Sequence, residues 1–194
     1  MTGLAYALLS SWLVLSVGPS QASTVTGTVT VDNASAADAV VYLEGAVETP
    51  PAASRAVMDQ KNLQFLPKVL PVARGTTVEF TNSDDIQHNV FSPSQIAAEF
   101  DLGTYGPGAA RSVTLDQPGE VLVLCNIHME MEAHILVLRD PYFAVATADG
   151  RYRIAAVPAG RYTARVWQDG FLPATRSVDV SNDGDLALDL QLDR

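Results

Sequence analysis

The feature that most constrains this chain is a short apolar alternation, repeated from end to end and broken every few residues by Gly, Pro, Asn or Asp. "TVTGTVTV" from Thr24, "TTVEFT" from Thr76, "EVLVLC" from Glu120, "AHILVL" from Ala133 and "RYTARVW" from Arg161 all follow it. A period of two puts alternate side chains on opposite faces of a strand. No segment shows sustained helical periodicity, so the expected fold class is all-β.

Turn chemistry suggests how the strands connect. "TVTGTVTVDNASAADAVVYLEGA" reads as a β-hairpin around the polar turn Asp32 to Asp38. Asp149-Gly150, between two alternating runs, is a strong short-range hairpin signal. Further turns are expected at Gly75, Pro118-Gly119, Pro158-Ala159-Gly160 and Asn182-Asp183-Gly184. "VETPPAASRA" from Val47 reads as a linker or surface loop, and "EFDLGTYGPGAARS" is too rich in Gly and Pro for regular structure.

Residues 4–17 are almost continuously apolar and run into "GPSQAS", where Ser20 and Ala22 are the small residues a signal peptidase requires. Residues 1–22 are therefore expected to be a signal peptide. The apolar run is shorter than the roughly 20 residues of a spanning helix, so no stable membrane insertion is expected after cleavage, and the protein is expected to be periplasmic or secreted. The formal charge of −10 lies wholly beyond residue 22 and argues against nucleic acid as a partner. A basic or apolar protein surface suits it better.

The chain has one cysteine, which excludes an internal disulfide. It stands in "LCNIHMEMEA", where Cys125, His128 and Met131 follow the spacing C-x2-H-x2-M on a loop between two strands. A thiolate, two imidazoles and a weak axial thioether make a type 1 copper centre. The missing imidazole is assigned to His88, in the polar turn "NSDDIQHNVFS" that enters an upstream strand.

"GTTVEFTNSDDIQHNVFS" and "FDLGTYGPGAARSVTLDQPGEVLVLCNIHMEM" resemble a cupredoxin of the plastocyanin and amicyanin type. Together with "DPYFAVATADGRY", they also resemble proteins known as methylamine utilization or plastocyanin-like. That resemblance implies a Greek-key β-sandwich and one copper ion. It also implies that His88 and His128 bind through Nδ1, Cys125 through its thiolate and Met131 axially. Asn89 would tie the two ligand loops together. Met129 stands where related loops often carry proline, which leaves the ligand spacing intact.

The segments Gly27 to Gly45 and "TADGRYRIAAVPAGRYTARV" from Thr147 resemble the carboxypeptidase-regulatory, transthyretin-like β-sandwich. This implies a discontinuous small sandwich, residues 23–46 and 140–194, with a cupredoxin domain at 47–139 inserted in it. Two sequential domains are the alternative. As ordinary packing aromatics, Trp167 and Tyr162 are expected in the small sandwich's core.

The competing readings of the copper motif are a buried core cysteine, a structural zinc site and a nucleophilic Cys–His pair. Thioether is not a usual zinc donor, and no orienting third residue or oxyanion motif accompanies the Cys–His pair. The expected function is single-electron transfer between redox partner proteins, without catalysis. Copper storage or delivery through the same four residues is the alternative, and an adhesive or structural β-sandwich is a third reading. His134, on the strand after the loop, is expected at the surface or rim, and Glu130 and Glu132 are expected to face solvent.

Overall fold

The computed structural model describes residues 22–45, 54–95, 97–182 and 184–193. Residues 1–21 of the expected signal segment and most of the expected linker lie outside these residues. Every regular element described is a strand. In chain order these are β1 (Ser23–Val31), β2 (Ala34–Ser35), β3 (Val40–Glu44), β4 (Arg55–Lys61), β5 (Gln64–Leu66) and β6 (Val69–Ala73). There follow β7 (Thr76–Asn82), β8 (His88–Pro93), β9 (Glu99–Tyr105), β10 (Ala110–Leu115), β11 (Gly119–Leu124) and β12 (Glu132–Leu138). The last are β13 (Phe143–Val145), β14 (Arg151–Val157), β15 (Gly160–Trp167), β16 (Ala174–Val180), β17 (Leu186–Ala187) and β18 (Leu190–Leu192).

Four sheets form two sandwiches. In the middle of the chain, the sheet β10-β7-β4-β5 faces the sheet β6-β12-β11-β8-β9. Alternation supplies the layer between them: Val78 and Phe80 of β7 and Val121 and Val123 of β11 point inward, joined by Met58, Phe65, Leu115 and Ile135. The outward residues Thr77 and Thr114 meet across β7 and β10 at 2.9 Å. The second sandwich uses both ends of the chain. β1 pairs with β14 and, in parallel, with β17 and β18, while β3 lies between β13 and β15, which in turn pairs with β16. Val25, Val29, Leu43, Tyr152, Ile154, Tyr162 and Leu192 fill its core.

The expected hairpins are corrected by this topology. β1 turns back only on the two-residue β2, and β3 joins the opposite sheet. At Asp149-Gly150 the turn forms, with the Gly150 N–H donating to the Thr147 carbonyl at 2.7 Å, but β13 and β14 belong to different sheets. Gly75 likewise joins β6 and β7 of different sheets. These turns are arches from one layer to the other, because each flanking run must bury its apolar side in the shared core rather than pair with its neighbour in sequence. Gly150 suits its arch by a φ of 77° and by lying where a Cβ would come within 2.6 Å of the Val29 carbonyl oxygen. Residues 99–105 are also corrected, since they form β9, paired with β8. Gly103 is accommodated at a φ of 71°.

β12 connects the two sandwiches. Ala133, Ile135 and Val137 enter the first core, and Leu136 and Leu138 on the other face pack with Val40, Tyr42, Val69, Phe143 and Trp167. Trp167 therefore lies at the junction and not in the small sandwich's own core, whereas Tyr162 is in that core. His134 shares the junction face and is 5% exposed, so it is neither a surface nor a rim residue.

Candidate metal centre

β8 and β11 run antiparallel, with Leu124 opposite Phe91, which brings the start of β8 beside the residue that follows β11. His88 opens β8 and Cys125 follows β11. The turn before His88 is built by Asn82, whose Oδ1 accepts the Asp84 N–H at 3.0 Å and whose Nδ2 donates to the carbonyls of Ile86 (2.9 Å) and Tyr105 (3.2 Å). An Asn side chain that mimics backbone in this way fixes a turn. The loop after β11 is closed by two backbone bonds: Met131 N–H to His128 C=O at 3.0 Å and Cys125 N–H to Met131 C=O at 3.2 Å.

One donor atom each from His88, Cys125 and His128 lies within 4.8 Å of the others. The two Nδ1 atoms are 3.0 Å apart, and Cys125 Sγ is 3.9 Å from His128 Nδ1. Met131 is buried in the same apolar cluster as Cys125. Nitrogens bound to one ion at about 2 Å stand about 3 Å apart, so the imidazole spacing fits a shared metal. Thiolate, imidazole and thioether together suit copper better than zinc.

The histidine orientation comes from a residue that sequence reasoning did not single out. Asp84 Oδ2 accepts a hydrogen bond from His88 Nε2 at 2.8 Å, while Asp84 also accepts the N–H groups of Asn62 (2.6 Å) and Leu63 (3.0 Å). An ionised carboxylate only accepts, so Nε2 carries the proton and Nδ1 keeps its lone pair for the site. Burial raises the Asp84 pKa, but the Leu63 and Asn62 N–H groups and His88 outweigh it and hold the carboxyl below its ordinary value. The signal in the sequence was an aspartate four residues before His88 in a turn-forming run.

Asn89 does join the two segments: its Oδ1 accepts the Asn126 N–H at 3.4 Å and its Nδ2 donates to Asp101 at 3.1 Å. Tyr105, opposite His88, sends its hydroxyl to the Phe80 carbonyl and receives Gln60 Nε2 at 2.7 Å. Burial pushes its pKa up to about 12 despite the Gln60 bond, so the phenol is a neutral packing group. Phe100 packs against Phe80 in the core. Glu130 and Glu132 face solvent, and Ile127 and Met129 stand out from the loop at 46% and 90% exposure.

Residues 52–138 match copper binding proteins of the plastocyanin/azurin family, and residues 131–193 match the carboxypeptidase regulatory-like domain. The chain thus carries a cupredoxin-type copper-binding domain together with a carboxypeptidase regulatory-like domain. Among solved structures it is similar to the copper-containing nitrite reductase of Thermus scotoductus SA-01, at 30% identity over 50% of this chain with a TM-score of 0.42. It spans 25% of that reductase chain. A reduced amicyanin variant is 24% identical over 50% of this chain and 99% of its own, with a TM-score of 0.40. A purple cupredoxin from Nitrosopumilus maritimus is 20% identical over 43% of this chain and 99% of its own, at 0.39. No curated protein matches the chain.

Proposed function

We propose that this chain is an exported electron carrier in which His88, Cys125, His128 and Met131 hold a single type 1 copper ion. The observation that carries the reading is the convergence of two imidazole Nδ1 atoms and one thiol within 4.8 Å, beside a buried methionine. Copper bound there would cycle between its two common oxidation states, one electron at a time. The chain's own part is to hold the ligands still. The Asp84 carboxylate sets the His88 tautomer, and the Asn89 bridge and the two backbone bonds of the 125–131 loop fix the rest. Little movement on a change of charge means a small barrier to electron transfer.

Burial favours transfer of electrons over transfer of the metal. His88, Cys125 and Met131 are 0%, 4% and 1% exposed, so a partner could not reach them to take the ion without opening the loop. His128 is half-buried, flanked by exposed Ile127 and Met129, and its ring is the route out. This apolar patch on an acidic chain suits a redox protein with a basic or apolar docking face. The small sandwich would be a discontinuous domain, residues 23–46 and 140–194, around the cupredoxin at 47–139. The pairing of β1 with β14 and of β3 with β15 supports that division.

The test is the visible absorption and electron paramagnetic resonance of the copper-loaded protein, with reversible voltammetry. An intense thiolate-to-copper band that Cys125→Ser removes is expected. A colourless site that retains only Cu(I) and yields it to a competing protein would instead mean copper delivery.

A further inference from the structure

Away from the thiol centre, at the junction of the sandwiches, Glu132, His134 and Asp169 each present a donor atom within 4.8 Å of the others. Glu132 and His134 project from one face of β12, and Asp169 lies in the segment that follows β15. Acidic groups alone would carry nothing here, but His134 adds an independent observation. Its Nδ1 contacts Glu120 Oε1 at 2.8 Å, while its Nε2 is buried and has no hydrogen-bond partner. Glu120 is itself held by the Trp167 indole N–H, which donates to Oε2 at 3.2 Å, and the Trp167 and His134 rings pack at 5.2 Å. A carboxylate can only accept, so Nδ1 bears a proton, and the neutral ring then presents its Nε2 lone pair to the acidic pair.

We propose that His134 Nε2, Asp169 and Glu132 form a second cation site, of the zinc class, that clasps the two sandwiches together. The arrangement of carboxylate, imidazole and metal has Glu120 as the orienting carboxylate. The Nε2 to Asp169 Oδ2 separation is 3.7 Å, too long for a hydrogen bond but suited to two donors each about 2 Å from one ion. Imidazole with two carboxylates and no thiolate suits a borderline divalent ion, with water completing the coordination. Charge points the same way. Among the described residues, the ion pair that a lysine or arginine makes with Glu120, Glu132 or Asp169 is that of Lys68, whose Nζ is 4.0 Å from Glu132.

The test titrates ZnCl2 calorimetrically into the full mature protein already carrying one equivalent of copper, and into its Asp169→Asn and Cys125→Ser variants. Asp169 is an exposed residue, so its replacement leaves the core intact. One zinc per chain is expected in the parent and in Cys125→Ser, weakened by about tenfold or more in Asp169→Asn. Glu120→Gln should keep the stoichiometry and lose about tenfold in affinity. Zinc should raise the melting temperature of the parent and not of Asp169→Asn. The proposal is overturned if copper-loaded protein takes up no zinc, as when Glu120 and Asp169 simply hold an imidazolium. It is equally overturned if Asp169→Asn takes up zinc as the parent does, or if uptake depends only on Cys125.

Discussion

Replacing Asp84 by alanine removes one acceptor from three donors at once: Asn62 N–H at 2.6 Å, Leu63 N–H at 3.0 Å and His88 Nε2 at 2.8 Å. His88 is fully buried, with its Nε2 against the Asp84 carboxylate, whose side chain is 13% exposed. Leaving a buried donor unmade costs about 1–3 kcal/mol, and this should appear as lost stability of the metal-free protein in urea. For copper the consequence is distinct. Without the carboxylate, the imidazole is free to protonate at Nδ1 and to rotate, and loss of such a partner lowers metal affinity about 10- to 100-fold, or about 1.4–2.7 kcal/mol. Asp84→Asn should fall between, because its amide oxygen can still take the position that serves His88 and Leu63 while the charge is lost. Competition against a chelator of known affinity measures the copper term. If Asp84→Ala binds copper within about threefold of the parent, Asp84 does not set the His88 tautomer and the orienting argument is wrong.

Three further outcomes follow from the packing. Gly27→Ala should destabilise the small sandwich strongly, at or above the upper end of the roughly 1–3 kcal/mol usual for overpacking, because a Cβ there would meet the Leu188 carbonyl oxygen at 1.8 Å; thermal denaturation reads this. Leu136→Ala, which opens a cavity between the sandwiches, should cost about 2–5 kcal/mol by denaturant titration and broaden the copper electron paramagnetic resonance signal without abolishing the thiolate-to-copper band, since Leu136 lies on the face of β12 away from the ligand core but holds the junction behind the loop. The Thr28 hydroxyl and N–H, both 2.8 Å from Asp189 Oδ1, hold its carboxyl below the ordinary value against a smaller opposing effect of burial. A depressed folded-state pKa stabilises above the unfolded value and is lost as pH falls through the folded one, so Asp189→Ala should cost less than about 1 kcal/mol at neutral pH, and the gap to the parent should close only below about pH 4.

The strands and the grouping of Cys125, His128 and Met131 were legible in the sequence because both depend on local spacing. "TTVEFT" alternates and forms β7 with Val78 and Phe80 inward, and C-x2-H-x2-M brings Cys125 and His128 to one loop beside Met131. Sheet membership was not legible, because a turn such as Asp149-Gly150 specifies that the chain reverses but not which layer its arms join. β9 was hidden by Gly103, whose positive φ falls where the β8–β9 register shifts, so that an irregularity of the bulge kind accommodates it within the strand. His134 was misplaced for a related reason. Alternation puts it opposite Ile135 and so away from the first core, and only the second sandwich covers that face. Asp84 was missed because its partners, Asn62 and Leu63, come from the β4–β5 turn, which nothing in the local sequence connects to His88.

The run "AHILVL", apolar at every position but His134, bears on the ligand loop that leads into it. A strand with one face open to water would alternate apolar with polar, whereas β12 is buried on both faces from Ala133 to Leu138. One face completes the core that contains Cys125 and Met131, and the other is held by the small sandwich through Leu136, Leu138 and the Glu120–His134–Trp167 group. Met131 directly precedes this strand, so its backbone is anchored to an element that neither sandwich can release alone. The loop's other anchor is Cys125, at the end of β11, which pairs with β12 along its whole length. The small sandwich thereby restrains both ends of the ligand loop without touching a ligand, and loosening the junction is predicted to broaden the geometry of the metal site before it unfolds the cupredoxin core.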